Sequence, residues 1–288
     1  MLLGLSIRII YAFTYVVAFL PKRIQKKIDW IIGRVAGQYI QKKGVVQRNI
    51  QLCFPHLSPK EIKALIIKNG EHMGKSYIEW SKAWFWSDEK LKKHFPYRIE
   101  GLELLQKKDP RGVLLIMKHS LHFFVDGRIL GLYKAFGIVA RRIDYSQFLN
   151  KAYFDARVRS SRLGTAEPNQ MLKMIRWLKN GETVSYAPDH DFGYENSVVC
   201  EFFGIPAATI AAPFRIQKAT NCRICYINSY YDKDDVLVLS IRELTNLSKT
   251  NPVTFMQRIN DEFTRDITKH PHEYLWIYNR FKSFCAGI

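Results

Sequence analysis

Short apolar runs alternating with helix-length stretches constrain this chain more than any other feature. "GVLLIM", "GIVARR", "ETVSYAP", "CRICYIN" and "VLVLSIREL" each hold several apolar residues in a short run, and stretches such as "NQMLKMIRWLKNG" separate them. A short continuous apolar run fits a strand covered on both faces. Such strands belong to parallel sheets whose crossovers are helices. The expected fold is therefore α/β, a mainly parallel central sheet flanked by helices. Upstream, "SPKEIKALIIKNGEHMGKSYIEWSKAWFW" predicts helix, with Ser58 as N-cap, Pro59 at the first helical position and Glu61 three residues beyond the cap. Its aromatic residues Tyr77, Trp80, Trp84, Phe85 and Trp86 suit either a lipid-facing belt or a packed helix seam. "NPVTFMQRINDEFTRDITKHPHEYLWIYNRF" predicts a last helix and then an aromatic-rich segment.

The first twenty residues, "MLLGLSIRIIYAFTYVVAFL", are mostly apolar with Arg8 among them, and the cluster of positive charges, Lys22, Arg23, Lys26 and Lys27, follows rather than precedes the apolar run. That order argues against a cleaved signal peptide and for a helix that spans or lies on a membrane. Between Lys22 and Arg48 eight Lys or Arg face one acid, Asp29, which suits an anionic leaflet and predicts that the remainder is cytoplasmic. Residues 1–48 are thus expected to be a membrane-associated helix and basic segment, and residues 49–288 one catalytic-size domain. The whole chain carries a formal charge of +18, which favours anionic partners such as lipid headgroups, an acidic carrier protein or nucleic acid. A nucleic-acid binder is disfavoured because the first helix is apolar and no groove-reading or RNA-binding motif is present. Five scattered cysteines do not form a disulfide framework. Cys222 and Cys225 make a C-x-x-C without a second pair at zinc spacing, so buried free thiols in a reducing compartment are expected.

The polar residues with most chemical promise follow the first apolar strand, in "KHSLHFFVDGR". Ligands in open α/β sheets gather beyond the carboxyl ends of strands, which is where His119 falls. If a helix starts near Ser120, His122 and Asp126 share a face one turn apart. A histidine beside a carboxylate is a general base with a fixed tautomer, suited to removing a hydroxyl proton. A metal site or a merely satisfied polar pair are the other readings of the same residues. "ARVRSSRLG" packs Arg157, Arg159 and Arg162 into six positions, a candidate clamp for phosphate or carboxylate whose bland reading is a solvated basic face. In "YAPDHDFG", Asp189 and Asp191 flank His190 after a strand, as an orienting site, a magnesium site or ordinary loop capping.

Taken in order, "NIQLCFPHLSPKEI", "YIEWSKAWFW", "RIEGLELL", "LIMKHS", "RSSRLG", "LKNGETVSYAPDHDFG", "SVVCEFFGIPAAT" and "EYLWIYNRFK" resemble the late acyltransferases of lipid A biosynthesis, the lauroyl and myristoyl transferase family of the lysophospholipid acyltransferase superfamily. The resemblance runs from about residue 20 to the end of the chain. It implies an enzyme at the cytoplasmic face of the inner membrane that moves an acyl chain from acyl carrier protein, or less often coenzyme A, to a hydroxyl of a lipid A precursor, without metal or cofactor. On that reading residues 49–288 are the acyltransferase domain. His119 is the base and Asp126 or His122 supports it. Backbone N–H groups at the helix start hold the oxyanion, Arg157, Arg159 and Arg162 grip phosphate or the pantetheine arm, and Asp189 orders that cluster or its loop. The family motif is a histidine, four residues and then Asp or Glu. Here the fifth position after His119 is Phe124, and after His122 it is Gly127. Three readings stay open: Asp126 replaces the missing acid, the chain is a weakened relative that binds lipid without transfer, or the residue was changed deliberately.

Overall fold

The computed structural model describes residues 2–107, 109–141 and 146–285. Its strands are β1 (Tyr97–Glu100), β2 (Val113–Met117), β3 (Phe136–Val139), β4 (Arg162–Ala166), β5 (Thr183–Tyr186), β6 (Ser197–Phe202), β7 (Ile205–Ile210), β8 (Arg223–Tyr231) and β9 (Leu237–Glu243). Seven of them form one sheet in the order β1-β9-β8-β2-β5-β3-β4, parallel except for the β8/β9 pair. β6 and β7 make a separate antiparallel hairpin. All five residues of β2 and all four of β5 are buried, as expected for strands with sheet neighbours on both edges and helices over both faces. Strands β1 and β4 and the hairpin were not among the runs read as strands, whereas β2, β3, β5, β8 and β9 were.

The helices are α1 (Leu2–Phe19), α2 (Lys22–Lys43), α3 (Val45–Cys53), α4 (Pro59–Phe85), α5 (Asp88–His94), α6 (Glu103–Gln106), α7 (Phe123–Leu130), α8 (Gln147–Ser161), α9 (Met171–Lys179), α10 (Ala212–Thr220), α11 (Pro252–Lys269) and α12 (Lys282–Cys285). Helix α4 starts with the capping box read from its sequence: the Ser58 side chain accepts from the Glu61 N–H, and the Glu61 carboxylate accepts from the Ser58 N–H. The aromatic residues near its end form a packed seam. Trp84 and Trp86 are buried, and the Trp86 indole donates to the Ala18 carbonyl of α1 at 2.7 Å. Cys53, Cys200, Cys222 and Cys225 are buried free thiols.

One extended piece is held by polar side chains in the core. After α11 the chain makes a 3-10 turn, Pro271–Glu273, and continues as a strap to Arg280. Asn49 donates to the carbonyls of Trp276 and Tyr278 at 2.8 and 2.7 Å, and Asn69 donates to those of His272 and Tyr274, both at 2.9 Å. Each amide thus satisfies two strap carbonyls that have no sheet partner. Outside the sheet, α2 crosses α4 with backbones in contact. Gly33 and Gly37 lie against Gly70 and Gly74, and a Cβ added at Gly74 would sit 2.1 Å from the Asp29 carbonyl oxygen.

On the far sides of α1 and α2, apolar residues face outward. Leu5, Ile9, Phe13 and Val16 recur at helical spacing on α1, each between 50 and 60 % exposed, and Ile24, Trp30, Ile31 and Val35 are exposed on α2. Among the described residues, no helix is long and apolar enough to cross a membrane.

The glycine crossing generates a prediction. Gly74→Ala should lower the unfolding free energy by roughly 2 kcal/mol or more, because backbone rather than a flexible side chain blocks the methyl group. Gly4→Ala, where nothing lies within 4 Å, should be neutral or slightly stabilising. Denaturant midpoints of the two variants check this; equal midpoints would contradict the packing.

Candidate active site

Strands β2 and β5 are parallel neighbours in a register that places Ile116 opposite Tyr186. Three residues beyond these partners, at the same edge of the sheet, come His119 and Asp189. Their side chains meet: His119 Nδ1 lies 2.6 Å from Asp189 Oδ1, while the His119 backbone N–H donates to Asp189 Oδ2 at 2.8 Å. The Tyr274 hydroxyl, brought in by the strap, donates to the same Oδ2 at 2.9 Å. Asp189 is fully buried. Burial alone would raise its pKa, but the charge and hydrogen bond of His119 and the nearby His190 hold it well below the usual carboxylate range. An ionised carboxylate only accepts, so Nδ1 of His119 carries a proton, and in the neutral form of the ring Nε2 is the nitrogen without one. The His119 side chain is 22 % exposed and can therefore be reached from outside.

The ring of His190 stacks on that of His119 with centroids 3.8 Å apart, and Phe123 lies on it at 5.2 Å. Tyr278 in turn covers His190 at 3.9 Å. Burial, with the nearby His119, pushes the His190 imidazole down to about 4, so it is neutral beside His119. His190 was noted in the sequence only as the residue between two aspartates. Its place becomes legible once β2 and β5 are known to be adjacent. His119, Asp189 and His190 each offer a ligand atom within 4.8 Å of the others, but Asp189 already accepts three hydrogen bonds, which matches an orienting acid.

The expected pairing of Asp126 with the base is corrected. Asp126 faces His122, whose Nδ1 lies 3.0 Å from Oδ1, and it also accepts from Ser120 Oγ at 3.1 Å and Ser229 Oγ at 2.7 Å. The other ring nitrogen of His122 lies 3.1 Å from Glu273 Oε2. His122, Asp126 and Glu273 are almost wholly buried, so this is an internal network rather than an open site. Burial disfavours a charged His122, but the Asp126 and Glu273 carboxylates prevail and push its pKa up to about 9. Helix α7 also starts later than expected, at Phe123, because Ser120 bridges to Tyr274 and the Leu121 N–H donates to the Glu273 carbonyl at 2.8 Å. The amides of Ser120, Leu121, Phe123, Val125 and Asp126 all donate to backbone carbonyls, so those positions do not supply the expected oxyanion hole.

Phe124, at the position where the motif has its acid, packs against Trp80 at 5.6 Å and Tyr153 at 5.9 Å. The arginines are also placed differently from expectation. Arg159 donates to the carbonyls of Trp84 and Trp86 at the end of α4, at 2.8 and 3.0 Å, and Arg162 pairs with Asp88. Helix ends expose unpaired carbonyls, and a guanidinium satisfies two of them at once. Arg157 lies over the Tyr153 ring at 5.5 Å and donates to the Arg141 carbonyl. Asp189 therefore orders His119 rather than the arginines. Asp191 caps its own loop at the Gly193 N–H and accepts from the backbone and side chain of Ser283.

The His122 network sets a pH dependence of stability. A pKa raised from 6.5 to about 9 contributes stability that is fully present below 6.5 and is lost as the pH rises through about 9. Melting temperature should therefore fall across that interval in the unaltered protein and fall less in His122→Gln. Parallel curves would contradict the buried imidazolium.

With this geometry in hand, the comparisons are direct. The family model described as bacterial lipid A biosynthesis acyltransferase matches residues 4–283. A lipid A biosynthesis acyltransferase of Haemophilus influenzae is 28 % identical over 249 residues, covering 84 % of this chain and 78 % of its own. The lipid A biosynthesis lauroyltransferase of Escherichia coli K12 is 26 % identical over 280 residues, covering 95 % and 90 %. Among solved structures, the 1-acyl-sn-glycerophosphate acyltransferase PlsC of Thermotoga maritima matches with a TM-score of 0.38 and 13 % identity over 86 % of this chain and 95 % of its own, too distant to bear on the site. The chain belongs to the bacterial lipid A biosynthesis acyltransferase family.

Proposed function

We propose that this member of the family is an active O-acyltransferase that moves a fatty acyl chain from the thioester of acyl carrier protein to a hydroxyl of a lipid A precursor, at the cytoplasmic face of the inner membrane. The observation that carries this reading is the His119–Asp189 bond, which leaves a bare and reachable Nε2 at the end of β2. In the reaction the acceptor oxygen attacks the thioester carbonyl carbon as Nε2 of His119 takes the hydroxyl proton. The carbon–sulfur bond then breaks, and the imidazolium returns the proton to the departing thiolate. Asp189 holds the tautomer and stabilises the imidazolium, Tyr274 holds Asp189, and neutral His190 stacks on the ring without adding charge. The acid that orients the base comes from the loop after β5, so Phe124 need not be acidic and the weakened-relative reading loses its motive. Arg157 remains in the proposal as a phosphate contact, next to the Tyr153–Phe124 wall along which an acyl chain would lie. The positive excess suits both the acidic carrier protein and a phosphorylated acceptor.

Residues 1–48 are proposed to seat the enzyme on the bilayer, with the exposed apolar faces of α1 and α2 in the interface and the basic residues of α2 at headgroup depth.

Transfer from acyl carrier protein to a lipid A precursor tests the chemistry. His119→Ala should abolish turnover, and Asp189→Asn should lower kcat roughly a thousandfold or more with little change in KM. Phe124→Glu should give no gain and should lower the melting temperature, because it puts a carboxylate between Trp80 and Tyr153. A large gain in activity from Phe124→Glu would mean that the orienting acid has been misplaced. For the membrane, Ile9→Asp combined with Ile31→Asp should reduce co-flotation with anionic vesicles at least tenfold and leave the fold intact; undiminished flotation would move the membrane contact elsewhere.

A further inference from the structure

The chain has 8 histidines, and four of them, His72, His122, His270 and His272, have ring nitrogens near the single carboxylate of Glu273. Both oxygens of that carboxylate accept from the Tyr231 N–H, at 3.3 and 3.1 Å, and each also faces histidine. Oε2 meets His122 in the buried network at 3.1 Å. Oε1 is 3.6 Å from Nε2 of His272, and His72 on α4 completes a group whose ligand atoms all lie within 4.8 Å of one another. The rings of His72 and His272 are 4.4 Å apart between centroids and inclined at 64°, edge towards face rather than stacked flat.

We infer that His72, His272 and Glu273 form a binding site for one divalent transition-metal ion of the zinc class, linking α4 to the strap. Two imidazole nitrogens and a carboxylate oxygen are a donor set for such an ion, with the remaining position open to water. Metal–ligand distances of about 2.0–2.2 Å put neighbouring donors of a tetrahedral ion somewhat more than 3 Å apart, so a bound ion draws these donors closer together than they stand here. The donors are ready for a metal at neutral pH. Burial pushes both His72 and His272 down to about 4, leaving neutral rings, whereas Glu273 is held at about 2, burial notwithstanding, chiefly by His122. His122 in turn supplies the outer hydrogen bond that orients a ligand carboxylate. His272 remains 15 % exposed, which gives an ion a route in from solvent.

Position gives the site a consequence. Glu273 is followed by Tyr274, whose hydroxyl holds Asp189, and Leu275 donates to the carbonyl of His119 at 3.0 Å. An ion joining α4 to residues 272–273 therefore braces the piece of chain that positions the base. The inference does not rest on the proposed chemistry and is tested without an assay of it.

The test is calorimetric titration of Zn²⁺, and of Co²⁺ followed by its visible absorption, into the tag-free full chain stripped by a chelator. The expected result is one equivalent bound, a chelator-reversible rise in melting temperature, and a loss of affinity of at least tenfold in both His72→Ala and His272→Ala. Circular dichroism of the metal-free variants separates a lost ligand from a lost fold, and His72→Gln, closer in volume, is the second variant at that position. His190→Ala should bind as the unaltered protein does. Absence of binding, unchanged affinity in His72→Ala and His272→Ala, or loss of binding in His190→Ala, which would place the ion beside His119, would each overturn the inference.

Discussion

The contact between His119 and Asp189 depends on sheet register before it depends on any local motif. Because β2 and β5 run in the same direction with Ile116 opposite Tyr186, positions three residues further on arrive together at the carboxyl edge, seventy positions apart in sequence. A buried carboxylate is costly unless it is paired and hydrogen-bonded. Asp189 meets that requirement with the ring N–H and backbone N–H of His119 and the hydroxyl of Tyr274. The same bonds that keep the acid ionised place a proton on the inner nitrogen of the imidazole.

Around this contact the molecule uses buried polar groups where a simpler fold would use apolar ones. The strap that delivers Tyr274 is fastened by Asn49 and Asn69 to its carbonyls, by Glu273 to His122 and to the Tyr231 N–H, and by the Ser120–Tyr274 bridge to the start of the site. Such a network specifies one position for the strap, because a shift by one residue would leave several polar groups unpaired at once. Asp126 belongs to this layer. It braces α7 through His122, Ser120 and Ser229, whereas His119 meets Asp189 from the loop after β5.

Much of this was legible in the residues. The central strands announced themselves as apolar runs, α4 through its capping box, and the location of chemistry through a histidine at a strand end. The edge strands were harder. β1 alternates over four residues only, and β4 follows α8 directly through Arg162 in a left-handed conformation, within a stretch that reads as basic helix. The site was half legible. Helical arithmetic pairs His122 with Asp126 correctly, but a one-dimensional pattern cannot show that β5 lies beside β2, so from sequence Asp189 reads as ordering the arginines or its own loop. Arg159 satisfies carbonyls at a helix end, and a guanidinium used in that way has the same sequence signature as one that binds phosphate. Phe124 reads as a vacancy in the sequence because the carboxylate that meets His119 lies across the sheet, at Asp189, and not along the helix.

The most direct measurement is the tautomer of the reactive imidazole, read by nitrogen NMR of ring-labelled histidine and assigned by the signal lost in His119→Gln. The account predicts that neutral His119 carries its proton on Nδ1 and presents a bare Nε2, and that Asp189→Asn shifts or mixes this state. A proton on Nε2 in the unaltered protein, or a spectrum indifferent to Asp189→Asn, would contradict it.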